Sequence, residues 1–218
     1  MRKQLIRWFL ISVSVTTVVF VSAWTWSDPW LWAYAAAWSA MALYAMLSID
    51  EDLARERFSP PNQGADAGWL HVVRVVALAH VVVGSIDGSR WHLIAPVPPV
   101  LRAFAIGAMI LTLGMFFRAM RENRFFSAVV RLQTDRGHRV VDSGPYAIVR
   151  HPGYAGMIVG LPFSGLALGS WIASAMALVL SALIFRRVLF EDAFLKRNLE
   201  GYTDYSSRVR YRVIPHVW

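Results

Sequence analysis

Polar residues along this chain come in blocks, and the apolar runs between them are of nearly constant length. Four runs, at about 6–25, 29–48, 70–86 and 100–117, each approach the roughly 20 residues an α-helix needs to cross a bilayer. The first follows Met1-Arg2-Lys3 and contains Val21-Ser22-Ala23, which looks like a leader cleavage site. Its uncharged stretch from Trp8 to Trp26 exceeds the apolar core of a secretory leader, about 7–15 residues, and so predicts a retained anchor. Two further runs, 153–168 and 170–185, are separated only by Gly169-Ser170. So short a connection predicts an antiparallel helical hairpin with both outer ends on one side. The first arm is short for a full span and holds Pro162, which predicts a tilt, a kink or an incomplete crossing.

The expected architecture is thus an all-α integral membrane protein, with four N-terminal transmembrane helices followed by a C-terminal helical hairpin. The chain divides at about residue 118, into an N-terminal bundle (1–117) and a C-terminal region (118–218) that carries the polar segments. Within the first part, the loop Ile49–Gly68 mixes acids and bases around the turn-forming Ser59-Pro60-Pro61-Asn62-Gln63-Gly64. No residues there form a chemical cluster in the sequence, and the part reads as scaffold.

Charge fixes the expected orientation. Only 17% of residues are charged, below the quarter or so of a soluble domain. With the N-terminus in the cytoplasm, all 22 Lys and Arg except Arg74, Arg90 and Arg102 fall on the cytoplasmic side. Both termini are then cytoplasmic. The net charge of +8 follows from this bias and from attraction to anionic lipid headgroups. No nucleic-acid module accompanies it, so nucleic acid is not an expected partner. The absence of cysteine excludes disulfides, thiolate catalysis and Cys-ligated metals. A glycine-rich dinucleotide fingerprint, a phosphate loop and a paired-His metal motif are also missing.

Two polar segments, Arg118–Tyr154 and Glu191–Arg212, bracket the hairpin and fall on the same side, where they can meet. Gly144-Pro145 marks a turn, and His151-Pro152 opens the first arm. Arg150 and His151 therefore sit beside a helix N-terminus, which favours anions; each taken alone reads equally as a headgroup anchor or a cap. Gly153, Gly156 and Gly160 have the spacing of close helix packing. Glu191 and Asp192 are expected to close the second arm, where acids oppose the helix dipole and invite a partner. Tyr202, Tyr205 and Arg208 share one helix face, as a site or as an interfacial helix would.

Taken together, Gly144-Pro145-Tyr146, Arg150-His151-Pro152-x-Tyr154-x-Gly156, the hairpin, the acidic pair and Tyr202-x-x-Tyr205-x-x-Arg208-Val209 resemble the isoprenylcysteine carboxyl methyltransferase family, related to the phospholipid N-methyltransferases. The resemblance covers about 123–215. It implies an S-adenosylmethionine pocket without a Rossmann domain, between the hairpin and the polar segments. Tyr146, Val149, His151, Pro152, Tyr154 and Gly156 are expected to line it, with Glu191 and Leu195 opposite. Arg208 and Tyr205 are expected nearer the substrate and, with Glu191, to act in catalysis. Two departures stand out: the family's acidic pair is commonly Glu-Glu, which puts the role of Asp192 in doubt, and Arg210 stands where relatives often have Pro. The implied acceptor is lipid-like or a small apolar molecule. A carboxylate is favoured because it is already ionised, whereas an amine or thiol needs a base such as His151 or Glu191. A membrane sterol reductase using NADPH and a non-catalytic protein of the same fold remain as other classes, although the Arg150–Gly156 run argues against the reductase.

Overall fold

The computed structural model describes residues 2–60 and 64–218, so Pro61, Asn62 and Gln63 of the expected turn lie outside the described residues. Helices α1 (Arg2–Ala23) and α2 (Pro29–Ser48) form the first antiparallel pair. Asp28 ends the link between them: its carboxylate accepts from Trp30 N–H at 2.8 Å, and Pro29 supplies a first-turn residue with no N–H to satisfy. A short helix α3 (Glu51–Phe58) follows, capped by Asp50 through Leu53 N–H at 2.7 Å. Next come α4 (Ala67–Ile86), which runs on through a π-helical turn at Asp87–Trp91, and α5 (Pro99–Glu122). The expected division at residue 118 falls within α5. The C-terminal elements are α6 (Pro152–Leu168), α7 (Trp171–Asn198) and α8 (Tyr202–Arg208).

Among the described residues five helices are long and apolar enough to cross a membrane: Arg2–Ala23, Pro29–Ser48, Gly68–Trp91, Pro99–Glu122 and Trp171–Asn198. At 1.5 Å per residue α6 reaches only about 25 Å, short of the roughly 30 Å hydrocarbon core. The chain is thus a multi-pass membrane protein with four N-terminal spans and a hairpin of unequal arms. One expectation is corrected. The second arm does not close at Glu191-Asp192 but continues to Asn198, so both acids lie inside the helix, and Lys196 and Arg197 occupy its last turn. The dipole therefore finds its complement in those two cations, and the acids are free to face inward.

Close packing of α6 on α5 explains the glycine spacing. A Cβ on Gly156 would lie 2.6 Å from the Thr112 carbonyl oxygen, and one on Gly160 would overlap the Thr112 hydroxyl. At the hairpin tip Gly169 takes φ +91, and Ser170 caps α7 while donating to Asp87 at 2.5 Å. Arg102, paired with Asp28 at 3.3 Å, donates to the Ala167 and Leu168 carbonyls left open at the end of α6. Deeper in the bundle His80 is satisfied by the chain itself. Its Nδ1 faces the Ala173 carbonyl at 2.9 Å and so carries the proton, which leaves Nε2 to accept from Ser164 at 3.1 Å.

Candidate functional site

All the long polar connections except the hairpin tip and the outer turns gather at one end of the bundle. A cavity of about 350 Å³ opens there, within the usual range for small-molecule sites. Tyr146, His151, Tyr154, Glu191, Leu195 and Tyr205 all line it, as the resemblance implies. Val149 and Pro152 are buried just behind the wall and do not reach the cavity. Gly156 belongs to a second cavity, described below. Arg208 is not brought to either one; its side chain is 64% exposed and pairs with Asp142 at 3.0 Å.

The wall nearest the hairpin is organised by Asp192. Arg150 reaches it through two parallel N–H donors, at 2.8 and 3.2 Å, and spends its remaining terminal nitrogen on the Val209 and Arg210 carbonyls. Tyr202 donates to the same carboxylate at 3.0 Å and Arg212 at 3.1 Å, with His151 Nε2 at 3.4 Å. Two backbone bonds, Arg150 N–H to the Tyr211 carbonyl and His151 N–H to the Arg212 carbonyl, lay the C-terminal stretch beside the start of α6. Four of the five N–H donors of Arg150 are thus used within the chain, and its charge is paired with Asp192. Burial beside Asp192 pushes the Tyr202 hydroxyl well above its ordinary range, so it stays a donor. Glu191, one residue earlier, turns instead to the cavity. Tyr154 donates to it at 2.6 Å, His151 Nδ1 lies 3.9 Å away, and about a quarter of its side chain stays accessible.

The opposite wall comes from the first half of the chain, where the sequence showed no chemistry. Glu56 on α3 receives Arg131 through two donors and Ser127 through its hydroxyl. Burial raises the Glu56 pKa, but those hydrogen bonds outweigh it and hold the carboxyl below its usual value. Asp66 accepts from Val130 N–H at 2.7 Å and pairs with Arg187 of α7 at 2.8 Å; Arg187 also donates to the Ala128 carbonyl. Residues 125–133 are thereby stretched between α3, α4 and α7 as one side of the cavity. His138 closes its rim, its ring tilted against Phe125 at 4.5 Å between centroids and its Nδ1 accepting from Gln133 N–H at 3.2 Å. Burial, with Arg131 and Arg136 nearby, depresses its pKa to about 4, so it presents a neutral ring. One signal in the sequence does point to this wall: the acids Asp52, Glu56 and Asp66 crowd a loop on the otherwise basic side, and each meets an arginine from the second half.

A second cavity of about 360 Å³ lies deeper, between α2, α5 and α6, and is almost wholly apolar. Met46, Met109, Met120, Phe117 and Leu161 line it, and it ends against Trp38 and Ser164. The two cavities meet at Arg57, Phe58, Phe116 and Met157.

Known proteins place this geometry in context. The isoprenylcysteine carboxyl methyltransferase (ICMT) family matches residues 103–197, from near the start of α5 to the end of α7. A protein-S-isoprenylcysteine O-methyltransferase of Schizosaccharomyces pombe is 29% identical over 115 residues, 50% of this chain and 48% of that protein. A probable protein-S-isoprenylcysteine O-methyltransferase of Oryza sativa subsp. indica is 26% identical over 109 residues, 48% of this chain and 57% of the relative. The chain thus spans about half the length of these methyltransferase relatives. A nickel-cobalt-cadmium resistance protein NccN of Alcaligenes xylosoxydans xylosoxydans is 28% identical over 168 residues, 77% of this chain and 68% of its own length. The solved eukaryotic intramembrane Ras methyltransferase ICMT superposes with a TM-score of 0.53 at 18% identity, over 98% of this chain and 86% of that one. Family match, relatives and shared fold agree in direction: over residues 103–197 the chain is similar to the isoprenylcysteine carboxyl methyltransferase family.

Proposed function

We propose that this protein is an S-adenosylmethionine-dependent methyltransferase acting on a lipid-like acceptor, with the cofactor in the polar cavity. The observation that carries the reading is convergence: Tyr146, His151, Tyr154, Glu191 and Leu195, scattered through the motif pattern, line one cavity that adjoins an apolar one. The residues present suit the cofactor. Glu191 offers an accessible carboxylate to its ammonium end, the Phe125, Phe126 and Tyr154 rings offer faces to a purine, and the buried Nε of Arg187 has no partner among the described residues. A bound cofactor would supply a methyl group on a cationic sulfur, which leaves as a neutral thioether.

What the protein adds is alignment and exclusion of water. The Asp192 hub fixes the start of α6 against the C-terminal stretch, and the acids of α3 and α4 hold the facing wall, so the cavity is shaped before anything binds. An ionised carboxylate acceptor needs no base. An amine or thiol needs a base, and with Asp192 committed to Arg150 and Glu191 to the cofactor's ammonium, His151 is the group left to take the proton. The NccN likeness carries no metal set to this chain: among the described residues no three His, Asp or Glu side chains group as ligands would. Calorimetry of the purified protein with S-adenosylhomocysteine and, separately, NADPH tests the reading. Saturable binding of the first and none of the second is expected. NADPH binding alone would transfer the fold to the reductase class.

A further inference from the structure

Three polar residues sit deep among the spans and take no part in the polar cavity. Tyr34 of α2, His80 of α4 and Ser164 of α6 are all buried, on helices that are apolar around them. Polar groups at that depth are costly to keep. With Trp38 they form one directed chain. The Trp38 Nε1–H donates to the Tyr34 hydroxyl at 3.0 Å, that hydroxyl lies 2.9 Å from Ser164 Oγ, and Ser164 Oγ lies 3.1 Å from His80 Nε2. Since His80 Nδ1 donates to the Ala173 carbonyl, its Nε2 must accept from Ser164, which leaves Tyr34 to donate to Ser164. Every proton in the chain is then spent.

This chain lies across the closed end of the apolar cavity. Trp38, Met109 and Ser164 are the lining residues of α2, α5 and α6 farthest from the polar cavity, and Leu31, Tyr34, Ala105 and Leu168 pack into the core beyond them. The three helices measure the depth independently. From Met46 to Trp38, from Phe116 to Met109 and from Met157 to Ser164 the rise is about 10–12 Å, at 1.5 Å per residue. A carbon chain extends about 1.2 Å per bond, so about eight to ten chain atoms fill that depth. Two isoprene units fit, whereas a third, ending at about 14 Å, would have to pass the indole of Trp38. Methionines along the sides can adapt to a ligand, but the floor is of another kind. Moving Trp38 aside breaks its bond to Tyr34 and leaves a buried donor unpaired.

We propose that Trp38, pinned by the Tyr34–Ser164–His80 chain, is a depth gauge that limits the apolar chain of the acceptor to about eight to ten atoms. Its meaning for acceptor choice rests on the methyltransferase reading; the limit on chain length does not. The polar chain within the membrane is thereby given its work, which is to hold the floor in place.

The test uses the full-length protein released from detergent into native mass spectrometry. Hexanoate, decanoate, tetradecanoate and hexadecanoate share one head, so length alone varies. Wild type should retain decanoate best and hexadecanoate at least tenfold less. Trp38→Ala should move the maximum to tetradecanoate. Ala42→Leu, which fills the cavity one turn nearer its mouth and so opens no void, should move it down to hexanoate. Tyr34→Phe keeps the shape but removes the acceptor of the indole N–H. It should leave decanoate within twofold of wild type and raise hexadecanoate at least fivefold, which bulk alone would not do. All variants are compared after they are shown to melt like wild type, and S-adenosylhomocysteine affinity, by calorimetry, should stay within twofold. Retention that climbs through hexadecanoate in wild type overturns the gauge, even if S-adenosylhomocysteine binds. So does a maximum that neither Trp38→Ala nor Ala42→Leu moves. A Tyr34→Phe variant with the wild-type profile overturns the pinning. A maximum at decanoate in a protein that does not bind S-adenosylhomocysteine would sink the methyltransferase reading and leave the gauge standing.

Discussion

Glu191 and Asp192 are neighbours of the same charge with opposite work, and the difference is a matter of which way each faces. Asp192 is buried and takes donors from Arg150, Tyr202 and Arg212, so removing it leaves Arg150 buried without its counter-charge. Asp192→Ala is expected to cost about 3–5 kcal/mol of stability, seen as a lowered melting temperature in detergent. Glu191 is partly accessible and holds only Tyr154 closely, so Glu191→Gln should leave melting nearly unchanged. It should instead weaken S-adenosylhomocysteine at least tenfold, about 1.4 kcal/mol, measured by calorimetry. Equal melting losses at both positions would mean that both acids are structural. Sequence pattern picked out Glu191 and put the role of Asp192 in doubt because Asp is the shorter acid. What it could not show is that Arg150 and Arg212 come to Asp192 from two directions, a convergence decided by tertiary packing.

Elements whose apolar faces repeat at helical spacing were legible, and elements held by single polar contacts were not. The four N-terminal spans and the hairpin follow from runs of apolar residues, which no other secondary structure can carry across lipid. The end of α7 was placed too early because Glu191 and Asp192 read as the close of the arm, whereas the helix continues past them to Asn198. Residues 125–133 have no period at all, and their position depends on Glu56 and Asp66 from a distant loop. That dependence can be measured. Asp66→Ala removes the acceptor of Val130 N–H and the partner of Arg187. A hydrogen bond to a charged group is worth about 1.5–3 kcal/mol, so amide exchange across 128–131 should quicken by at least tenfold in the variant. Exchange unchanged from wild type would show that this wall stands without its anchor.

Over the whole molecule, geometry says which groups share an end, and charge says which side of the membrane that end faces. Arg7–Glu51, Arg131–Glu56 and Arg187–Asp66 tie α1, α3, α4, α7 and the stretch 125–133 together at the polar end. Arg74, ambiguous along the sequence, lines the same cavity as His151 and so belongs to this end too. The far end keeps Arg102 neutralised by Asp28, with Trp26 stacked on Phe20 and Trp32 beside them, the aromatic character of an interface. Placing the basic end in the cytoplasm satisfies the positive-inside bias; placing it outside would carry almost every Lys and Arg across the membrane. The natural chain has no cysteine, so single additions report cleanly. Asp204→Cys on α8 and Ser27→Cys between α1 and α2 are both at exposed positions on opposite ends. A membrane-impermeant maleimide added to intact cells should label the cysteine at 27 and spare the one at 204 until the membrane is opened. The reverse pattern would put the polar cavity on the outer face.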